Sequence, residues 1–351
     1  METQTARYSA SQRIPRRFVL TSLFTLIIGI CVTVHADPVS EMASFSVFDK
    51  VDLAQLASGG VKTAHGAPMS NARFLSVQTC YVSPGSPAQQ IAAMRQWNPT
   101  RHSELNVVLH SDIPSAATAV SFSRLRNAPD SSAARTLAAA TEKRTELQIS
   151  AEEAKKIPPA SGPGTLPASL AGFWIDLLAA RARTFATGGS AAEPPYNLGG
   201  QSVRASQELN GLLGQQEKIR RQFSGFIESA GIGRGAGSIH PELYWELLQV
   251  EDQGVLTLGA FQSRPGAGGT FQAADTLYYA SGGYYAGLTL YQMWPVDVGG
   301  KPSTLVWRGD MISSGSVESL HGIERLASES SMMKDISKAV TLFRRDTGGS
   351  R

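Results

Sequence analysis

The sequence predicts an α+β fold in which an antiparallel sheet is closed by a long C-terminal helix. Three observations predict it. Residues 284–296 (YYAGLTLYQMWPV) are dense in Tyr, Leu, Thr and Trp, which suit a pleated, half-buried surface. Residues 304–314 (TLVWRGDMISS) repeat that character after the turn Val298-Gly299-Gly300-Lys301-Pro302, a strand-turn-strand signature. From 316 to 345 the period becomes helical: Ile323, Leu326, Met333, Ile336, Val340 and Phe343 fall on one stripe that must be buried, and the preceding sheet is the nearest partner.

The chain opens with an export signature. Arg13, Arg16 and Arg17 precede an apolar run over 18–34, and Val34-His35-Ala36 reads as a small-residue cleavage site. A cleaved signal over 1–36 and a periplasmic location are expected; an uncleaved membrane anchor is the other reading. The whole chain has 32 basic and 29 acidic residues, and removing 1–36 takes away Arg7, Arg13, Arg16, Arg17 and Glu2. The remaining charge is balanced, so the basicity belongs to the leader and gives no electrostatic case for nucleic-acid binding. Cys80 is then the only cysteine. It can form no intramolecular disulfide, and its place in a predicted strand makes it a small buried hydrophobe rather than a nucleophile.

The remaining elements follow in order. Residues 45–56 suggest a short helix, and 72–82 (ARFLSVQTCYV) a strand. Ser86-Pro87 places an N-cap and a first-turn proline before a helix over 88–97, which Asn98-Pro99 stops. Strands are expected over 104–110 and 118–125. An Ala-rich helix covers 131–143, and Ser150 with Glu153 forms a capping-box pattern. The Pro/Gly stretch 157–169 is the strongest internal linker. Helices follow over 170–186, ended by Gly188-Gly189, and over 206–228. Residues 243–250 and 254–262 pair as strands, and 276–280 leads through Ser281-Gly282-Gly283 into the aromatic strand. This order lacks the regular alternation of a doubly wound fold.

Few motifs carry chemistry. His65, His102, His110, His240 and His321 show no helical metal spacing, and no HExxH is present. Ser331-Met332-Met333-Lys334 matches SxxK without its companion elements and lies inside the closing helix. Arg308-Gly309-Asp310 sits within a strand and reads as sheet surface. The glycines at 231, 233, 235 and 237 lack the strand-turn-helix context of a phosphate cradle. No metal, cofactor or catalytic residue is assigned.

The order of elements resembles the START-like superfamily, whose helix-grip fold curls an antiparallel sheet around a long C-terminal helix. Residues 73–97, with the turn SPGSP, resemble its first strand and following helix; 284–314 resemble its last two long strands; 315–345 resemble its closing helix. The chain is also similar to a group of uncharacterised exported bacterial proteins, at ELQISAEEAKKI (146–157), at Thr187-Gly188-Gly189 and at Leu243-Tyr244-Trp245. The resemblance divides the chain into a signal (1–36), an N-terminal segment (37–69), a first helix-grip part (70–157), a linker with a helical insertion (158–238) and a second helix-grip part (239–347). It implies a non-enzymatic protein that binds a lipid or other apolar molecule between sheet and helix, with Tyr285, Tyr291 and Met293 as the expected wall. The alternative is a periplasmic interaction or structural protein whose cavity is filled and whose helical insertion meets a partner.

Overall fold

A computed structural model describes residues 37–114, 116–198 and 200–348; the expected signal over 1–36 and its expected cleavage site lie outside them. The chain is α+β and is dominated by one eight-stranded antiparallel sheet. It begins with helices α1 (Pro38–Phe45) and α2 (Leu53–Ala57), then strands β1 (Val61–His65) and β2 (Phe74–Pro84). Helix α3 (Pro87–Gln96) follows, capped by Ser86 with Gln89 reciprocating, and then β3 (Val107–Ile113). The middle of the chain is helical: α4 (Ser132–Lys143), α5 (Ala151–Ala154), α6 (Ala168–Ala192), a small hairpin of β4 (Tyr196–Leu198) and β5 (Gln201–Val203), then α7 (Ala205–Gly214), α8 (Glu217–Gln222) and α9 (Ser224–Ala230). Strands β6 (Glu242–Val250), β7 (Gln253–Pro265), β8 (Phe271–Ala280), β9 (Ala286–Val298) and β10 (Lys301–Ser313) run as a meander, and α10 (Gly315–Glu318) and α11 (Gly322–Asp346) end the fold.

The strand order is β1-β2-β10-β9-β8-β7-β6-β3. The early strand β2 therefore pairs with the last, β10, in register from Ser303 opposite Pro84 to Ser313 opposite Phe74. The helical middle is inserted between β3 and β6, which are neighbours in the sheet.

Both faces of the sheet are covered, as the apolar character of both faces of 284–296 requires. On one face Leu288, Leu290 and Trp294 of β9 join Leu305, Trp307 and Met311 of β10 in the main core, which includes Trp174 and Leu178 of α6 and Leu209 and Leu212 of α7. On the other face Tyr291 and Met293 join Val77, Tyr81 and Val306 beneath Ile336 and Val340 of α11. The linker 157–169 joins parts of this same body, with Ile157 and Leu166 buried.

Four expectations are corrected. The predicted strand over 118–125 is a 3-10 helix, Ala119–Asn127. Phe122 and Leu125 are both buried there, and their i, i+3 spacing puts them on one face at three residues per turn. The helix expected over 45–56 is instead α1, started early by the Asp37 cap and Pro38, and the separate α2, capped by Asp52. The closing stripe is buried only in its C-terminal half: Ile323 and Leu326 are exposed. Finally, Arg308 and Asp310 are not sheet surface. They point to the α11 side, and Asp310 is buried.

Candidate functional site

Between the sheet and α11 lies a cavity of about 670 Å³. Its roof is Ala339, Val340 and Phe343 of α11, and Met94, Trp97 and Leu105 close one side. Tyr81, Tyr291 and Phe261 give its floor an aromatic character, while His110, Glu246, Tyr244, Asp275 and Arg308 make the floor polar. The side chains come from β2, β3, β6, β7, β8, β9 and β10, so the site depends on the whole sheet register rather than on one loop.

The polar groups are arranged in three couples. Arg308 and Asp310 sit at i and i+2 on β10 and therefore share a face. Arg308 Nε donates to Asp310 Oδ2 at 2.8 Å and its Nη2 donates to Oδ1 at 2.6 Å. Thr289 adds a donated hydroxyl to Asp310 at 2.9 Å. The guanidinium also stands 5.6 Å from the Tyr291 ring centroid. Burial works against its charge, but Asp310 and Tyr291 outweigh that and raise its pKa.

His110 Nδ1 and Glu246 Oε1, directly opposed on β3 and β6, are 3.0 Å apart. Burial opposes the imidazolium, yet the bond and charge of Glu246 carry the His110 pKa above its usual value. The His110 ring also lies against Tyr244.

Tyr244 donates its hydroxyl to Asp275 Oδ1 at 2.8 Å. These residues are two strands apart: Tyr244 faces Gly259 on β7, and Asp275 is on β8. Gly259 makes the reach possible. A Cβ there would stand 2.1 Å from Tyr244 Cζ, so any side chain would occupy the place of the phenol ring. Burial pushes the Asp275 carboxyl up to about 6; Glu246 and Asp310 add to the rise, and the Tyr244 bond and Arg308 oppose it. Burial and the neighbouring carboxylate likewise hold Tyr244 well above the usual phenol range.

Of the three residues expected to form the wall, Tyr291 faces the cavity. Met293 is on the same face, but it is packed into the apolar cluster with Val77 and Val306 and is not part of the lining. Tyr285 precedes the first residue of β9, where strand alternation does not govern direction. It lies 6.4 Å from the Tyr196 ring, beneath Arg73. Cys80 is buried in the main core, and burial pushes its thiol up to about 12. The polar floor was missed by sequence reasoning. Its visible signals were ionisable residues (Asp275, Arg308, Asp310) inside otherwise apolar strands and a glycine, Gly259, in mid-strand.

Among the described residues no group of three or more His, Cys, Asp and Glu side chains is placed to hold a metal ion, and no helix is long and apolar enough to cross a membrane. No protein-family model matches the chain, and no curated protein matches it.

Proposed function

We propose that this protein is an exported, START-like carrier that binds a lipid or other largely apolar small molecule in the cavity between its sheet and α11, without catalysing a reaction on it. The cavity is the observation that carries the reading. At about 670 Å³ it falls in the usual range for small-molecule sites, about 300–1,000 Å³, and it combines aromatic walls with a few convergent polar groups. An antiparallel sheet with a long C-terminal helix against one face supports the helix-grip assignment. The basic and apolar character of 1–36 supports export. The open volume favours a carrier over an interaction protein with a filled interior.

Native mass spectrometry of the protein purified from a bacterial periplasm without detergent tests this. A stoichiometric apolar adduct, identified after solvent extraction, is the expected result. A clean apo mass, together with no binding to a panel of lipids, overturns the carrier reading.

A further inference from the structure

Resting on that reading, we infer the chemistry of the ligand's polar end: the cavity takes an apolar molecule bearing a protonated amine, which sits against Asp275 between the rings of Tyr244 and Tyr291.

The charges around the cavity are already matched or exposed to solvent, with one exception. Arg308 is engaged by Asp310 through three short contacts. His110 is engaged by Glu246. Arg95, at the rim, is 2.7 Å from Glu242. The remaining lining base, His240, is exposed to solvent, as is the carboxylate of Asp112. Asp275 differs from all of these. Its only hydrogen-bond partner among the described side chains is the neutral Tyr244 hydroxyl, which uses one of its two oxygens. Asp275 is half-buried on the cavity floor, and a carboxylate partly withdrawn from water without a cationic partner is compensated when a ligand cation pairs with it.

The surroundings suit an ammonium group better than a second anion or a plain hydroxyl. Glu246 and Asp310 both place negative charge near Asp275, and the nearby cations Arg308 and His110 are already paired with Asp310 and Glu246, so an anionic headgroup finds no free cation and meets repulsion. Tyr291 is a diagonal neighbour of Asp275 across β8 and β9, and Tyr244 lies over Gly259 beside it. Aromatic faces flanking a carboxylate attract organic cations through the ring quadrupole. Beyond them, Phe261, Trp97, Phe343 and Val340 leave an apolar space for the rest of the molecule.

Three ten-carbon probes with different head groups test the inference: decylamine, decanol and decanoate, each below its micellar concentration, titrated calorimetrically into the protein. At pH 8 decylammonium should bind about tenfold or more tighter than decanol, with decanoate weaker than both. Between pH 8 and pH 5 the amine should lose about tenfold in affinity as the carboxylate at 275 takes up a proton, while decanol changes little. The groups facing Asp275 are Tyr244 and Glu246 from β6, His110 from β3, Tyr291 from β9, and Arg308 and Asp310 from β10. Asp275→Asn keeps the acceptor for Tyr244 and isolates the one carboxylate from these neighbours. It should abolish both the amine preference and its pH dependence while retaining decanol binding. Decanoate binding tightest, or an unchanged amine-to-decanol ratio in Asp275→Asn, overturns the inference. Equal binding of amine and decanol overturns it while leaving the carrier reading in place. Failure of every probe to bind overturns both.

Discussion

The pKa of Asp275 is shifted in the opposite direction from that of a salt-bridged carboxylate. Its pKa rises from 3.8 unfolded to about 6 in the folded chain. Between those values the folded state holds more protons than the unfolded one, so stability falls as pH rises through the window, and the loss is complete above it. Asp275→Asn cannot ionise. It should therefore be more stable than the native protein at pH 8, by about 1–2 kcal/mol after allowance for solvent in the cavity, and equal to it near pH 4. Urea denaturation at the two pH values measures this. A destabilised variant at pH 8 would mean that the carboxylate is satisfied by groups within the protein. Such a gain in stability on removing a charge is the usual mark of a residue kept for binding rather than folding.

The neighbouring glycine is tested in the same way. Gly259→Ala puts a methyl where the Tyr244 ring lies, an overpacking change expected to cost about 2 kcal/mol or more. Tyr244→Ala empties that space. In its background the glycine substitution should cost little, and the two changes should be strongly non-additive in a double-mutant cycle. Additive costs would show that the ring and the glycine are not coupled. A second buried charge cluster has a structural character. Arg181 of α6 is held in a bidentate pair by Glu153 at 2.9 and 2.7 Å, with Glu193 at 3.3 Å and the Tyr279 ring beneath it. Burial drives the Glu193 carboxyl up to about 8; the charge and hydrogen bond of Arg181 oppose the rise, and the charge of Glu153 adds to it. This cluster lies within the main core and ties the 146–157 segment to α6.

At the scale of elements, what could be read in the sequence depended on how local the determinant is. Helix α3 was legible because Ser86, Pro87 and Gln89 cap it within one turn. Strands β9 and β10 were legible because both are covered on both faces along most of their length and are therefore rich in apolar and aromatic residues on both. The segment 118–125 misled because its alternating apolar residues also satisfy a 3-10 helix, and the choice is made by contact with Trp245, whose indole donates to Ser121 O at 3.0 Å. The polar floor was illegible for a related reason. Tyr244, Asp275 and Arg308 are far apart in the chain and meet only through the register of β6 to β10. The direction of Tyr285 could not be read because it lies just before its strand begins.

Helix α11 shows where periodicity alone overreaches. Ile323 is 85% exposed and Leu326 55%, whereas Ile336 is 7% exposed. The double variant Ile323→Ser/Leu326→Ser should shift stability by less than about 0.5 kcal/mol, as expected for exposed sites. Ile336→Ala, on the same stripe, should cost about 2–4 kcal/mol by removing buried methylenes and leaving a void. Comparing the two urea midpoints decides it. A large loss in the double serine variant would mean that the first turns of α11 are covered in solution.

For the whole molecule, the two faces of the sheet divide the work. The face against α6 and α7 is packed with large side chains, among them the fully buried Trp174, Trp245, Trp294 and Trp307, and it holds the fold together. The α11 face has the smaller apolar cluster and leaves the cavity open beside it. A filled cavity would add stability through contact area, so the open volume and the half-buried charges that line it together are what a binding function would preserve. Ala339, on the roof of the cavity and only partly buried, allows that division to be tested with one substitution. Ala339→Phe keeps a residue tolerated in a helix, on a different element from the Asp275 couple, and should direct a ring into the open space. Thermal stability should stay within about 1 kcal/mol of the native protein, since the ring enters a void rather than a packed core. Binding of decanol and decylamine should fall together by about tenfold or more, because the apolar body of each probe competes with the ring whatever its head group. Calorimetric titration of both probes, alongside the thermal midpoint, separates this from Asp275→Asn, which should distinguish the two head groups. If Ala339→Phe binds both probes as the native protein does, the ligand does not lie between the sheet and α11, and the division between a packed face and a binding face fails.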